Sequence, residues 1–150
     1  MNMDISDEIG CGGVHPYFNQ FTFTYNLHTG EQVHWVNYLT KGEVEEVKVN
    51  PGNMLPIEIP GVRSLILQKL YSAGWKDQGQ CRIDDVIDPS PEYLTSFLLS
   101  PAPRKGGLSV LPANLASVSA PCGLPVILGK SAMEALGIPE DLQKELLAGQ

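Results

Sequence analysis

The chain has 150 residues, 43% of them hydrophobic and only 18% charged, with 15 Gly and 12 Pro, a composition that fits one turn-rich globular domain and excludes a long coiled coil. Ten basic residues against 17 acidic ones leave a net charge of −7, too little positive charge for the face that releases counterions from a phosphate backbone, so no nucleic-acid partner is expected. No stretch reaches the roughly 18–20 apolar residues of a membrane span, and Met1 to Gly10 is acidic rather than basic, unlike the start of a signal peptide.

Residues 1–10 read as an N-terminal tail or remnant and residues 11–150 as a single domain. From Phe21 to Leu27 the sequence FTFTYNL alternates strictly, which predicts a strand with Phe21, Phe23, Tyr25 and Leu27 facing the core and Thr22, Thr24 and Asn26 facing out. His28 to Glu31 supplies a turn, with Gly30 free to take a positive φ. Gln32 to Leu39 (QVHWVNYL) then resumes an extended pattern, so the two runs are expected to pair as an antiparallel hairpin. Glu43 to Val49 (EVEEVKV) suits helix and strand equally. Pro51, Pro56 and Pro60 exclude a helix interior or a central strand between Pro51 and Gly61, which leaves a connecting loop. Val62, Leu65, Ile66, Leu70 and Ala73 recur at three- and four-residue steps. They predict an amphipathic helix over 62–73, with Gly74 at its C-cap and one face on the hairpin.

Asp77 to Gln80 is turn-like, Arg82 to Ile87 suits a short strand or a turn, and Asp88-Pro89-Ser90-Pro91 is a turn by its prolines. Tyr93 to Leu99 (YLTSFLL), a loop tip over Ser100 to Gly107, and Leu108 to Leu111 predict a second hairpin. Val126 to Leu128 reads as a short buried strand behind Pro125. Ser131 then precedes an apolar turn, Ala132 to Leu136, ended by Gly137, and Pro139 opens Glu140 to Ala148 with acids in its first turn, so the chain closes in two short helices.

Few residues could carry chemistry. Cys11 and His15 lie four apart in CGGVHP and could form a thiolate–imidazole pair, the activation used by cysteine hydrolases. Such a nucleophile also needs a lowered pKa and a third, orienting group, so a Gly-rich structural turn is the simpler reading. Glu43, Glu45 and Glu46, or Asp84 and Asp85, supply the residue type for a carboxylate-pair hydrolase, yet runs of this kind are usually solvated faces. The G-C-G-G stretch lacks the Lys and Ser or Thr of a phosphate loop, and no serine stands in G-x-S-x-G. Cys11, His15, His28, His34, Cys81 and Cys122 match no ligand spacing, so neither metal nor cofactor is expected. Tyr17, Phe18, Trp35 and Tyr38 flank the first hairpin as candidate binding residues for a protein or glycan, the alternative being that they fill the core. The three cysteines contain no C-x-x-C pair and fit either one disulfide with a spare thiol or three reduced core residues.

The run Cys11-Gly12-Gly13-Val14-His15-Pro16, the strand ending Tyr25-Asn26-Leu27, then Thr29-Gly30-Glu31 and Val33 to Leu39 resemble a family signature. It is the extracytoplasmic domain shared by peptidoglycan deacetylases of the PdaC type and anti-sigma factors of the RsiV type. There a (C)GGAHP motif precedes a strand of the form x-Y-D-L-x-T-G-K and then v-x-L-x-x-L-F. Here Val14 replaces the alanine, Asn26 the aspartate, and Tyr38-Leu39-Thr40 stands where Leu-Phe is common. Phe97-Leu98-Leu99, Gly107 to Val110, Ala120-Pro121-Cys122, Val126 to Leu128 and Leu136 resemble the family's ending, so the likeness covers roughly residues 11–137.

The resemblance implies an α+β fold, an antiparallel sheet of hairpins packed against a helix, with the two short helices at the C-terminal end. It also implies a periplasmic or extracellular address with any leader or anchor outside this stretch, a cytoplasmic one being second. The implied role is binding or sensing without catalysis, because relatives either accompany a separate catalytic domain or recognise lysozyme. The implied ligand is a lysozyme-like protein or peptidoglycan. Cys81 stands where envelope members often carry a cysteine, and either Cys81 or Cys11 would pair with Cys122. Family members carry further strands before the GGAHP motif, whereas about ten residues precede it here. A bare sheet edge that pairs in a homodimer is therefore a further expectation, and a structural subunit a further reading beside the hydrolase.

Overall fold

The computed structural model describes residues 2–11, 17–50, 58–88, 90, 92–113, 115, 119 and 122–148, with residues 2–11 and 17–20 described through their backbone alone. In chain order these form β1 (Asn2–Cys11), β2 (Tyr17–Asn26), β3 (Val44–Val49), β4 (Ile59–Ser64), α1 (Leu65–Gly74), β5 (Ser96–Pro101), β6 (Leu108–Ala113), β7 (Val126–Leu128), α2 (Lys130–Ala135) and α3 (Glu140–Leu147). Short 3-10 turns lie at Trp35–Asn37 and Ile83–Asp85. β3 to β7 make an antiparallel sheet in sequential order, and β1 and β2 make a separate antiparallel ribbon. The fold is α+β.

The sheet is organised by β5 and β6, whose apolar residues run almost without interruption. Successive side chains on a strand point to opposite faces, so such a run must be covered on both sides. Phe97, Leu99, Leu108 and Val110 enter one core with Leu67 and Tyr71 of α1, Trp35 and Leu39, Met133 and Leu136, and Leu146 of α3. Leu98, Leu111 and Ala113 enter a second core with Phe21 of β2, Val49 and Ile59. Helices thus cover one face, and the ribbon covers the other through β2, which contacts β5 and β6. Each fully buried side chain of this size contributes about 1.5–3 kcal/mol.

The first predicted hairpin forms differently. β2 takes β1 as its partner, Asn2 opposite Asn26 and Cys11 opposite Tyr17, so residues 2–10, read from sequence as part of a tail, run with Cys11 alongside the domain's first predicted strand. Gln32 keeps one bridge to Tyr25. The remainder of 32–39 leaves the strand direction at the 3-10 turn Trp35–Asn37, where Tyr38 N donates to Trp35 O, and Val33, Trp35 and Leu39 are buried in the helical core. The predicted facing of β2 holds for Phe21, which enters the second core, and Phe23, which packs against it, but not for Leu27 or for the threonines. Phe21 is buried, Phe23 and Tyr25 are half-buried, and Leu27 is 45% exposed, whereas Thr22 and Thr24 are buried.

Thr24 Oγ1 donates to the Leu99 carbonyl at 3.2 Å. The reason lies in Pro60. The β4–β5 ladder has the single pair Val62 opposite Phe97; two residues further along that register Pro60, which has no N–H, would stand opposite Leu99. The Thr24 hydroxyl supplies a donor where the strand cannot. Pro60 and Gly61, placed in a loop by sequence, therefore belong to a strand inside the sheet, with β3 paired along its full length on one side and a truncated ladder on the other.

Three more boundaries follow from local chemistry. The predicted helix over 62–73 begins at Leu65 because the Ser64 hydroxyl accepts from Leu67 N at 3.3 Å as the N-cap. It includes Gly74 and is capped by Trp75. A side chain at Gly74 would meet Val126, so this glycine serves a close helix–strand approach rather than a positive φ. Residues 43–49 settle as β3, and 82–87 as a 3-10 turn in which Asp85 Oδ2 accepts from Arg82 N at 2.8 Å.

At the C-terminal end of α2, Gly137 has φ 72°, the left-handed conformation of a helix stop. The last carbonyls of that helix are satisfied from the other end of the sequence: Thr40 Oγ1 donates to Gly137 O at 2.7 Å, Lys41 N to Leu136 O at 3.2 Å and Lys41 Nζ to Glu134 O at 2.9 Å. These bonds hold the Trp35 turn beside α2 and α3.

Two measurements check this packing. Thr24→Val removes the donor to a buried carbonyl and is expected to lower unfolding stability by about 1–3 kcal/mol in denaturant titration; an unchanged midpoint would contradict the bond. Tyr71 is fully buried and donates to Leu124 O at 2.7 Å, and burial pushes its hydroxyl pKa well above the ordinary phenol range. Because the unfolded chain ionises this group near pH 10, the folded state holds more protons above that pH and stability falls as pH rises. Tyr71→Phe is expected to make that alkaline fall shallower, and an unchanged slope would show that burial does not control the group.

Candidate functional site

Of the four aromatic candidates, the structure brings Trp35 and Tyr38 together. Their rings meet edge-on at 6.0 Å with an interplanar angle of 62°. Trp35 is only 2% exposed and belongs to the helical core, while Tyr38 is half-buried. Tyr17 and Phe18 are described as backbone positions of β2, and their side chains lie outside the described residues. Trp35 therefore serves the core and a surface cleft at once.

That cleft, of about 330 Å³, is lined by Trp35, Tyr38, Asn26, His28, Asp141 and Glu145 together with apolar neighbours. Its parts come from three places in the chain. Asn26 ends β2, and its Oδ1 accepts from His28 N at 2.9 Å, an Asx turn that fixes where the His28 backbone goes. The turn is closed by Gly30 N on Asn26 O at 2.7 Å and Asn26 N on Glu31 O at 2.9 Å. Trp35 and Tyr38 sit on and just after the 3-10 turn, where Tyr38 N donates to Trp35 O. Asp141 and Glu145 stand four apart on α3, so both carboxylates share one helix face.

Trp35 Nε1 is buried and has no hydrogen-bond partner among the described residues. A buried indole N–H normally finds an acceptor, and leaving one unpaired costs about 1–3 kcal/mol. The cleft thus combines an aromatic wall with two carboxylate acceptors, and the residue that forms part of that wall, Trp35, carries a buried donor without a partner among the described residues. In sequence Asp141 is an acid of a helix's first turn and Glu145 an ordinary residue of the same helix, and nothing there joins them to Asn26 and His28 more than a hundred residues earlier.

Among the described residues, the carboxylate candidates stand apart on exposed segments. Cys11 is a backbone position of β1 opposite Tyr17; its thiol and the whole of His15 lie outside the described residues. Glu43, Glu45 and Glu46 are exposed, and Glu46 Oε2 meets His34 Nδ1 at 2.8 Å. Asp84 and Asp85 are exposed at a separate turn. Among the described residues no three His, Cys, Asp or Glu side chains converge as a metal site, and no helix is long and apolar enough to cross a membrane.

Cys81 and Cys122 form a disulfide with their Cα atoms 5.4 Å apart, joining positions 41 residues distant. It ties the segment after α1 to the one before β7. Loop-closure entropy for a ring of this size is worth about 4 kcal/mol. Cys81→Ser with Cys122→Ser, or reduction, is therefore expected to lower thermal stability markedly. Thiol titration of the denatured, unreduced protein should find one reactive group, and three would contradict the bond.

No family model matches the chain, and no curated protein or solved structure matches it.

Proposed function

We propose that the protein is a non-enzymatic, extracytoplasmic binding module of the kind shared by PdaC-type deacetylases and RsiV-type anti-sigma factors, and that the Trp35 cleft takes a peptidoglycan fragment. The observation that carries this reading is the buried, unpartnered Trp35 Nε1 in the wall of a cleft that also presents Tyr38, Asp141 and Glu145. An N-acetylated sugar supplies the complement: a carbonyl acceptor for the indole donor, hydroxyl donors for the carboxylates, and an apolar ring face for the tyrosine. The cleft's concavity favours a small ligand over a protein surface, which needs about 800 Å² on each partner. The Cys81–Cys122 bond supports an oxidising compartment such as the periplasm or the cell exterior.

A second reading, a lysozyme-like protein as ligand, is favoured by the net charge of −7, which would steer a basic partner towards this chain. A homodimer through the β3 edge has less support, since that strand presents Glu45, Glu46 and Lys48 to solvent, the charged side chains that discourage edge pairing.

Calorimetric titration with muropeptides and, separately, with lysozyme distinguishes the readings. Saturable muropeptide binding is expected, weakened about tenfold by Tyr38→Ala and by Glu145→Gln as one polar or packing contact is lost, with melting temperature nearly unchanged in Glu145→Gln. Binding to lysozyme alone, unaffected by Tyr38→Ala, would replace the first reading by the second. No saturable heat from either ligand at millimolar concentration would overturn both.

A further inference from the structure

A second cleft, of about 550 Å³, opens at the ends of β4 and β5 and includes Arg63, Ser96, Asp84, Asp85, Asp88 and Tyr93 in its lining. Arg63 stands on β4 on the same side as Ile59, by strand alternation, and so on the ribbon-covered face of the sheet. Its Nε donates to Ser96 Oγ at 3.0 Å, and Ser96 is itself buried. That single bond aims the planar guanidinium, and its two terminal nitrogens have no hydrogen-bond or ion-pair partner among the described residues. A half-buried arginine pinned through Nε, with its fork left open, is arranged for a bidentate acceptor such as a carboxylate.

The rest of the lining selects among acceptors. Asp85 Oδ2 is engaged by Arg82 N and Asp88 Oδ1 by Ser90 N, each at 2.8 Å, whereas Asp84 has no partner among the described residues. Three carboxylates against one guanidinium leave the cleft net negative, so a plain anion such as phosphate gains the arginine but is repelled by its surroundings. A ligand with a carboxylate and one or more ammonium groups satisfies both signs. Tyr93, 67% exposed at the rim, offers a ring face to the aliphatic part of such a ligand or to its cation. The volume lies within the range of small-molecule sites and exceeds that of a single small amino acid.

We infer that this cleft binds a short peptide or dibasic amino acid through its carboxylate on Arg63 and its ammonium on Asp84, a site separate from the Trp35 cleft and independent of what that cleft binds.

The test is titration of the intact protein with L-alanyl-L-lysine, its C-terminal amide, its N-acetyl form with the side-chain amine also acetylated, and inorganic phosphate. Saturable binding of the free dipeptide is expected, weakened at least tenfold by amidation, by acetylation, by Arg63→Lys and by Asp84→Asn. Arg63→Lys keeps the charge and loses the fork, so its effect separates bidentate recognition from simple attraction. Tyr38→Ala, in the other cleft, should leave dipeptide affinity unchanged, and a melting curve for each variant confirms folding. Phosphate binding as tight as the dipeptide's would overturn the inference in favour of a plain anion site. Absence of dipeptide binding at 10 mM, or equal affinity for the amide, would overturn it outright.

Discussion

The fold depends on one constraint: β5 and β6 carry apolar side chains on both faces, so the sheet must be covered twice. Phe97 and Leu98 are adjacent in sequence, are both essentially inaccessible, and belong to different cores. Helices α1 to α3 answer one face and the β1–β2 ribbon the other. The second cover is fastened at a point of need, where Thr24 donates to Leu99 O beside a proline that cannot. Where each cover stops, a cleft begins. The Trp35 cleft lies where the turn after β2 meets α3, and the Arg63 cleft lies at the ends of β4 and β5.

The parts of this arrangement that sequence makes legible are those set by neighbours in the chain. The β5–β6 hairpin follows from two apolar runs around a Gly- and Pro-rich tip, and the α2 stop follows from Gly137. The parts it hides are those set by distant partners. Strict alternation announces β2 as a strand, yet says nothing of whether residues 2–11 or 32–39 lie beside it, or that the threonine face opposite Phe21 is buried as well. Pro60 reads as a loop residue because its missing N–H is a defect in a strand; the compensating hydroxyl lies thirty-six residues earlier at Thr24. Val62 begins the apparent helical period but belongs to β4, because the Ser64 cap starts α1 only at Leu65, three residues later.

The same division holds for the candidate sites. Trp35 and Tyr38 stand out in a chain with two Trp and five Tyr, and their nearness follows from a three-residue step on a tight turn. Asp141 and Glu145 look like ordinary acids of a short helix, and only the bonds from Thr40 and Lys41 to the end of α2 bring the Trp35 turn beside α3. Arg63 is harder still to read. What sets it apart is that only its Nε is bonded among the described residues, to Ser96 across two strands.

Trp35 fills the core with its ring while its buried indole N–H has no partner among the described residues, and the proposed function turns on whether a ligand supplies one. The most direct measurement is the pair of tryptophan indole N–H signals in a ¹H–¹⁵N spectrum during titration with an N-acetylmuramyl disaccharide peptide. Trp75 Nε1 is also buried and without a partner among the described residues but does not line the Trp35 cleft, so it serves as an internal control. The account predicts that the Trp35 signal moves downfield to saturation as it gains an acceptor while the Trp75 signal stays in place. A stationary Trp35 signal while the ligand binds elsewhere, or equal movement of both, would contradict it.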